Sequence, residues 1–248
     1  ERNSAFAEHL LVHAQPANWF VSHWWGEPVK HLMRCLHLHA STRCLTEQTA
    51  FWLGALAIKP HSSSETSELM RNSAKALRVA HHKVLLVVDS AGGSTFKRLW
   101  CGYEISLCLS HDTSVLDIAT CDGQDAWWIT NGMTQKEATV EQYRPGDGIL
   151  LKVKRERTLP LAVVKEALDF TVQRCVTSRE DDRINLLSAI IGHDANCASL
   201  DDREKYDELN RRMRKVFALT FYRMVAACEV PKSEHAKVAF LALQRQLC

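Results

Sequence analysis

The sequence is poor in long apolar runs and in charge of one sign. No apolar segment approaches the roughly 20 residues that a helix needs to cross a bilayer, and no signal peptide is visible. Its 31 Lys and Arg residues nearly balance its 29 Asp and Glu residues, which leaves a formal net charge of +2. We therefore expect no transmembrane segment and no nucleic acid as a partner, because nucleic-acid binding depends on a marked basic excess.

Glycine-rich nucleotide-binding motifs are also missing, as are internal repeats and low-complexity segments. The pair Gly92-Gly93 is followed by neither a G-x-G-x-x-G nor a Walker pattern, so it predicts a tight turn rather than a phosphate-binding loop.

Cysteine, by contrast, is plentiful, with nine residues in 248. Their neighbours are mostly apolar or helical, as in LMRCL and SLCLS, whereas disulfide-rich scaffolds place cysteines in loops. We predict reduced and largely buried thiols, which are typical of the cytoplasm or another reducing compartment.

Apolar runs alternate with helical patterns through the first two thirds of the chain. This alternation with short connections predicts an α/β fold with a parallel sheet covered by helices on both faces. The predicted strands are residues 18–22, 49–58, 84–88, 115–119 and 148–153. The predicted helices between them include one that begins at Pro28, one at 67–79 and one that carries Glu104.

From about residue 160 the periodicity becomes helical throughout. Helices are predicted at 161–175, 181–191, 201–227 and 233–247. We predict three regions on this basis: an N-terminal helix in residues 1–17, an α/β domain in 18–157 and a helical C-terminal extension in 158–248.

The stretch from Lys83 to Cys108 is the most informative for function. Its apolar strand ends in Asp89, and after a Gly/Ser loop the segment WCGYE opens a helix. Ligands of open parallel sheets lie beyond the carboxyl ends of the strands, where such loops are found. Trp100 stands four residues before Glu104, on the same helix face. The sequence thus predicts a carboxylate beside an aromatic wall at the rim of a cleft.

With these elements in order, the chain resembles a divergent Toll/interleukin-1 receptor (TIR) domain over residues 18–155. Residues 19–23, WFVSH, are similar to the first strand of that family, and WCGYE is similar to its Trp-Cys-x-x-Glu helix start. Residues 84–90 correspond to its third strand, and residues 59–66 to its variable loop. The longer string FVSHWWGEP looks like that of a group of algal and protist proteins.

The resemblance implies a flavodoxin-like, parallel five-stranded sheet of order 2-1-3-4-5, with a ligand crevice beside strands 1 and 3. In catalytically active TIR domains the glutamate that corresponds to Glu104 is required to cleave the nicotinamide–ribose bond of NAD, which is a substrate and not a cofactor. Departure of nicotinamide leaves an oxocarbenium-like ribose, which a carboxylate stabilises. The expected pocket residues are Ser22, His23, Trp24, Trp25 and Trp100.

The resemblance thus implies an NAD nucleosidase, either a glycohydrolase or an ADP-ribosyl cyclase, and a non-catalytic role stays open beside it. Many TIR domains signal by self-association or by docking to other protein subunits, and residues 59–66 would then form a contact loop. A structural subunit of a large assembly is a third alternative. Trp24-Trp25-Gly26 is bulkier than the polar loop of active TIR enzymes. An open pocket beside Glu104 favours the enzyme, and tryptophan side chains that fill it favour the other two.

Two further groupings suggest other chemistry. His31, Cys35 and His39 share one helix face, but a structural zinc site normally needs a fourth ligand, so we predict helix packing and no metal. Cys101 at a helix start, with His23 as its base, is a cysteine-hydrolase alternative that ranks below NAD cleavage. We interpret Glu27, beside Pro28, as an acidic residue whose negative charge stabilises the positive N-terminal end of the following helix.

Overall fold

A five-stranded mixed sheet organises the computed structural model, which describes residues 4–10, 15–58, 65–90, 94–123, 125–130, 132–156, 158–192 and 203–227. The strand order is β2-β1-β3-β4-β5, and the neighbours are parallel except for the antiparallel pair β4-β5. The strands are β1 (Trp19–His23), β2 (Phe51–Leu53), β3 (Lys83–Asp89), β4 (Val115–Asp122) and β5 (Asp125–Thr130).

Helices surround this sheet and continue to the end of the described chain. They are α1 (Phe6–Leu10), α2 (Val29–Arg43), α3 (Gly54–Ala57), α4 (Thr66–Val79), α5 (Leu99–Leu109), α6 (Gln135–Tyr143), α7 (Asp147–Glu156), α8 (Leu161–Leu168), α9 (Glu180–Ile190) and α10 (Arg203–Ala227). Among the described residues, no helix is both long enough and apolar enough to cross a membrane.

The predicted α/β class and the strand order 2-1-3-4-5 are confirmed, but the prediction of a wholly parallel sheet is wrong. The chain reverses near Gly123, which has a φ of +46°, so β5 returns antiparallel to β4. A backbone with positive φ at a glycine suits such a tight connection between strands. The edge of the sheet is therefore a hairpin and not a further parallel crossover.

The predicted fifth strand at residues 148–153 is also wrong, because this segment lies in α7. Gly148 packs so closely on α6 that a Cβ there would lie 2.3 Å from the backbone oxygen of Glu137. Ile149 and Leu150 remain exposed, whereas an inner strand would bury both. The fifth strand is instead β5 at Asp125–Thr130, a segment for which the sequence pattern predicted no element.

Other boundaries differ by smaller amounts. The apolar run at 49–58 forms only the short strand β2 and then turns into α3, and the helix predicted over 161–175 ends at Leu168 before a 3₁₀ turn at Val172–Arg174. The predicted helix at 233–247 and most of the contact loop at 59–66 lie outside the described residues.

Both faces of the sheet are buried. On one face Val21, Leu85 and Val87 pack against α2, and on the other Phe20, Val84 and Leu86 pack against α4 and α5. Successive residues of β3 thus point to opposite faces, as the pleat requires. A strand buried on both sides reads as a continuous apolar run, which is why β3 was evident from sequence.

The helices beyond residue 158 share the second of these cores. Val163 of α8, Leu186 of α9 and Phe217 of α10 belong to the same buried cluster as Leu86 and Ile118. Full burial of one such side chain contributes about 1.5–3 kcal/mol, so this contact is a substantial part of the stability of the sheet.

Candidate functional site

A cleft of about 250 Å³ opens beyond the carboxyl end of β1, beside the first turns of α5. It brings together five of the six predicted site residues, namely His23, Trp24, Trp25, Trp100 and Glu104. Strands β1 and β3 are hydrogen-bonded neighbours, and the chain leaves them in opposite directions along the sheet. The cleft therefore lies at the switch point where α/β folds bind ligands.

The sixth predicted residue, Ser22, lies beneath the cleft and holds Glu104. Ser22 is fully buried in β1, and its Oγ donates a hydrogen bond of 2.5 Å to Oε2 of Glu104. This bond joins residues that are 82 positions apart in sequence. It aims the carboxyl group of α5 at the end of β1, so both residues act at one point of the cleft.

The environment of Glu104 changes its protonation. A part of the residue faces the cleft, but protein atoms densely surround its carboxyl group, and this burial raises the pKa of Glu104 to about 8. The hydrogen bond from Ser22 acts in the opposite direction and lowers the pKa. Because burial disfavours the charged form, most molecules of the free protein carry a protonated Glu104 at pH 7.

Helical spacing accounts for the relation of Trp100 to Glu104. Both belong to α5, four residues apart, and both line the cleft. Trp100 is half-buried and packs edge-on against Tyr103, with 6.3 Å between the ring centroids. The predicted carboxylate beside an aromatic wall is therefore present in the structure.

The two tryptophans after β1 line the cleft and leave it open. Trp25 is 63 % exposed, and Trp24 is half-buried. The indole ring of Trp24 lies over Gly26, where a Cβ would come within 2.3 Å of the ring. Gly26 thus allows Trp24 to fold against its own loop.

His23 and Cys101 also reach the cleft, but their environments disfavour the cysteine-hydrolase alternative. Burial of Cys101, followed by the charge of Glu104, raises the pKa of its thiol far above the ordinary range. Burial lowers the pKa of His23, which favours the neutral ring. Cys101 is therefore a thiol and not the thiolate that a nucleophile requires.

Glu27 and Asp89 serve the local structure beside the cleft. Glu27 is buried and lies 3.3 Å from Nδ1 of His31, one turn along α2. Burial and then the charge of Asp89 raise the pKa of Glu27. Oδ1 of Asp89 accepts hydrogen bonds from the backbone N–H groups of Ser94 and Thr95. Asp89 thereby holds Ser94 and Thr95 at the start of the 3₁₀ turn that precedes α5.

The trio His31, Cys35 and His39 does not form a joint site. His31 lies beside Glu27, Cys35 lies beside Cys121, and Nε2 of His39 is 3.0 Å from Oδ2 of Asp117. In the part of the chain that the structure describes, no three His, Cys, Asp or Glu side chains are grouped to hold a metal ion. The six described cysteines are free thiols, and five of them are buried.

Sequence reasoning missed Arg98, Leu69 and Ser178, which also line the cleft. Arg98 lies two residues before Trp100, so its sequence position next to a predicted cleft residue could have identified it. Ser178 belongs to the region assigned to the helical extension, and no local pattern connects it with Glu104. It reaches the cleft because Val176 pairs with residues 97–99 through two backbone hydrogen bonds of 2.8 and 3.0 Å.

The site thus consists of one raised-pKa carboxyl group, a buried serine that holds it, several aromatic side chains and one arginine around an open cleft. Such a set can stabilise a positive charge that develops on a bound ligand. Comparisons with protein-family models, with curated proteins and with solved structures gave no match to this chain.

Proposed function

We propose that this chain is a TIR-like domain that cleaves NAD at the nicotinamide–ribose bond, with Glu104 as the catalytic carboxylate. One observation carries the proposal: Glu104, held by Ser22, lines an open and largely aromatic cleft at the carboxyl end of β1. Neither Trp24 nor Trp25 closes this cleft, and an open cleft was the condition that favours an enzyme over a docking module.

The reaction breaks the bond between C1′ of the ribose and the ring nitrogen of nicotinamide. The electron pair of this bond leaves with nicotinamide, which departs as a neutral molecule, and C1′ becomes oxocarbenium-like. Water then adds to C1′ and releases a proton, giving ADP-ribose. Because the pyridinium is already a good leaving group, a carboxylate that stabilises the cationic ribose is the main requirement.

The raised pKa of Glu104 is compatible with this role. In the free protein the carboxyl group is largely neutral at pH 7, since its pKa is about 8. A bound pyridinium cation near this group favours its ionised form and lowers its pKa. Binding of the cationic pyridinium ring thus generates the carboxylate where it is needed, in surroundings of low polarity where its charge acts strongly.

The tryptophans supply the binding surface. Trp24 and Trp100 are half-buried, and both present part of an indole ring to the cleft. The negative face of an indole attracts cations and stacks on flat rings. A pyridinium ring satisfies both conditions, so these residues suit the nicotinamide end of NAD.

The test is nicotinamide release from NAD at high protein concentration with a crowding agent, followed by chromatography. We expect release by the wild type and a loss of at least about 100-fold in Glu104→Gln, as is typical when a key electrostatic group is removed. Glu204→Gln is the matched control, because Glu204 is exposed on α10 and is not among the residues that line the cleft. Equal rates in wild type and Glu104→Gln would refute the proposal.

A docking module is the second candidate, and exposed apolar side chains on α2 favour it. Val29 is 72 % exposed, and Met33, one turn further along α2, is also exposed. Exposed apolar groups close to one another are typical of protein contact surfaces. Self-association through this face predicts that Val29→Asp with Met33→Asp lowers the sedimentation coefficient at high concentration, whereas a monomeric wild type would exclude it.

A further inference from the structure

Arg98 is the cationic side chain of the cleft. It lies at the residue before α5, half-buried, and lines the same cleft as Glu104. Among the described residues its guanidinium has neither a hydrogen-bond nor an ion-pair partner. An arginine at a cleft without a partner retains its five N–H donors for a ligand.

Arg98 and Glu104 act at separate points of the cleft. Arg98 directly precedes α5, and Glu104 lies in the second turn of this helix. The six positions between them correspond to roughly 9 Å along the helix axis. One ligand can therefore meet the carboxyl group at one end and the guanidinium at the other.

The backbone on both sides of Arg98 is held in place. The N–H of Leu99 donates to the carbonyl of Val176 at 3.0 Å, and the N–H of Val176 donates to the carbonyl of Lys97 at 2.8 Å. Arg183 in turn donates to the carbonyl groups of Gln173 and Cys175. This ordered segment brings Ser178 to the cleft, where its hydroxyl is an additional hydrogen-bond donor.

We propose that Arg98, together with Ser178 of the same cleft, binds a phosphate group of the ligand. The proposal rests on the proposed function and extends it, because it identifies the substrate class as phosphorylated nicotinamide nucleosides. Guanidinium groups bind phosphate through two parallel N–H···O bonds, which gives both affinity and orientation. With the nicotinamide riboside unit at Glu104, the next ionised group of the ligand is its 5′-phosphate.

The experiment compares nicotinamide mononucleotide with nicotinamide riboside, which lacks only the phosphate. We expect kcat/KM of the wild type to be about 10- to 100-fold higher for the mononucleotide, the value of one or two charged hydrogen bonds. Arg98→Gln removes this preference, mainly because the KM for the mononucleotide rises. Arg98→Lys keeps the positive charge but lacks the two parallel N–H donors of the guanidinium group, so this variant retains part of the preference for the mononucleotide.

Lys97→Gln is the matched control. It removes the same charge from the neighbouring residue, whose side chain is exposed and lies 3.7 Å from Glu166. The preference for the mononucleotide remains in this variant, because a general loss of positive charge is not the cause. Circular dichroism verifies that each variant folds. If Arg98→Gln does not fold, the test is the Arg98→Lys variant, in which an unchanged preference for the mononucleotide would refute the proposal.

Calorimetric titration of both ligands separates this inference from the proposed function. Titration uses Glu104→Gln, so that no ligand is consumed, with and without Arg98→Gln. If nothing is cleaved but the mononucleotide binds more tightly in an Arg98-dependent way, the function fails and the phosphate subsite stands. If NAD is cleaved but the mononucleotide and the riboside have equal kcat/KM and equal affinity, the phosphate subsite is refuted. If neither is bound or cleaved, both proposals are refuted.

Discussion

At the scale of single residues, the contact between Ser22 and Glu104 determines most of what the cleft can do. A glutamate with a pKa of about 8 is poised to change its charge near neutral pH. Carboxyl groups with shifted pKa values in clefts are frequent at functional sites, because burial of an ionisable group is unfavourable for stability. Two predictions follow from this contact, one for activity and one for stability.

For activity, the proposed reaction needs the ionised carboxyl group of Glu104. We therefore expect kcat/KM for NAD to rise about tenfold per pH unit below pH 8 and to level off above it. Ser22→Ala removes the hydrogen bond that lowers the pKa of Glu104, so the midpoint of the profile moves to higher pH. Initial rates at subsaturating NAD measure both profiles. A flat profile in the wild type would contradict the carboxylate role.

For stability, Glu104 is expected to disfavour the folded state as the pH rises. Its pKa is raised from an ordinary value of 4.5 to about 8 in the folded protein. The contribution of Glu104 to the free energy of unfolding is therefore most favourable below pH 4.5, where the group is neutral in both states, and it decreases as the pH rises from 4.5 to about 8. Glu104→Gln stays neutral and gains about 2 kcal/mol over the wild type between pH 5 and pH 9. Urea unfolding at both pH values measures this difference, and Glu204→Gln shows no such gain.

At the scale of elements, β4 and α2 are joined by a buried ionic contact. Nε of Arg43 donates to Oδ2 of Asp117 at 2.8 Å, and Nη2 donates to Oδ1 at 2.6 Å. Nε2 of His39 lies 3.0 Å from Oδ2. Burial alone would raise the pKa of Asp117, but the bonds from His39 and Arg43 hold it below its usual range.

Asp117→Asn is expected to lower the free energy of unfolding by about 3 kcal/mol, because it leaves the charge of Arg43 without its partner. The wild type loses the same contribution as the pH falls below 3.8 toward the lowered pKa of Asp117. Urea denaturation at pH 7 measures the loss. Asp125→Asn at the exposed start of β5 is the control, and a loss of similar size there would contradict the assignment.

At the scale of the whole molecule, the helices beyond residue 158 and the sheet share one buried cluster. Phe217 of α10 is completely buried in it, as is Leu86 of β3. Elements that share a core unfold together, whereas separate domains unfold independently. The Val176 pairing adds a second link, since it builds one side of the cleft from the C-terminal region.

Phe217→Ala is therefore expected to destabilise the sheet as well as α10, by about 3–5 kcal/mol. Tryptophan fluorescence reports on β1 and β5, and far-ultraviolet circular dichroism reports on all helices. Both signals are expected to shift together to lower urea concentration. Leu86→Ala is the matched variant within the sheet, and two separated transitions in either variant would show independent domains.

The sequence by itself determined those features that depend on local periodicity. Continuous apolar runs identified β3 and β4, and the four-residue spacing of Trp100 and Glu104 placed them together on one face of α5. Each of these two inferences needs only the pitch of a helix or the pleat of a strand. The expected strand order and the crevice beside β1 and β3 came instead from the resemblance to TIR domains.

The tertiary structure alone decided the rest. Residues 148–153 are apolar enough for a strand, but they form α7, because the edge beside β4 is occupied by β5. The raised pKa of Glu104 depends on burial by distant parts of the chain, and Ser178 reaches the cleft only through the pairing of Val176. These features result from competition among all segments for the same buried space, which no local pattern records.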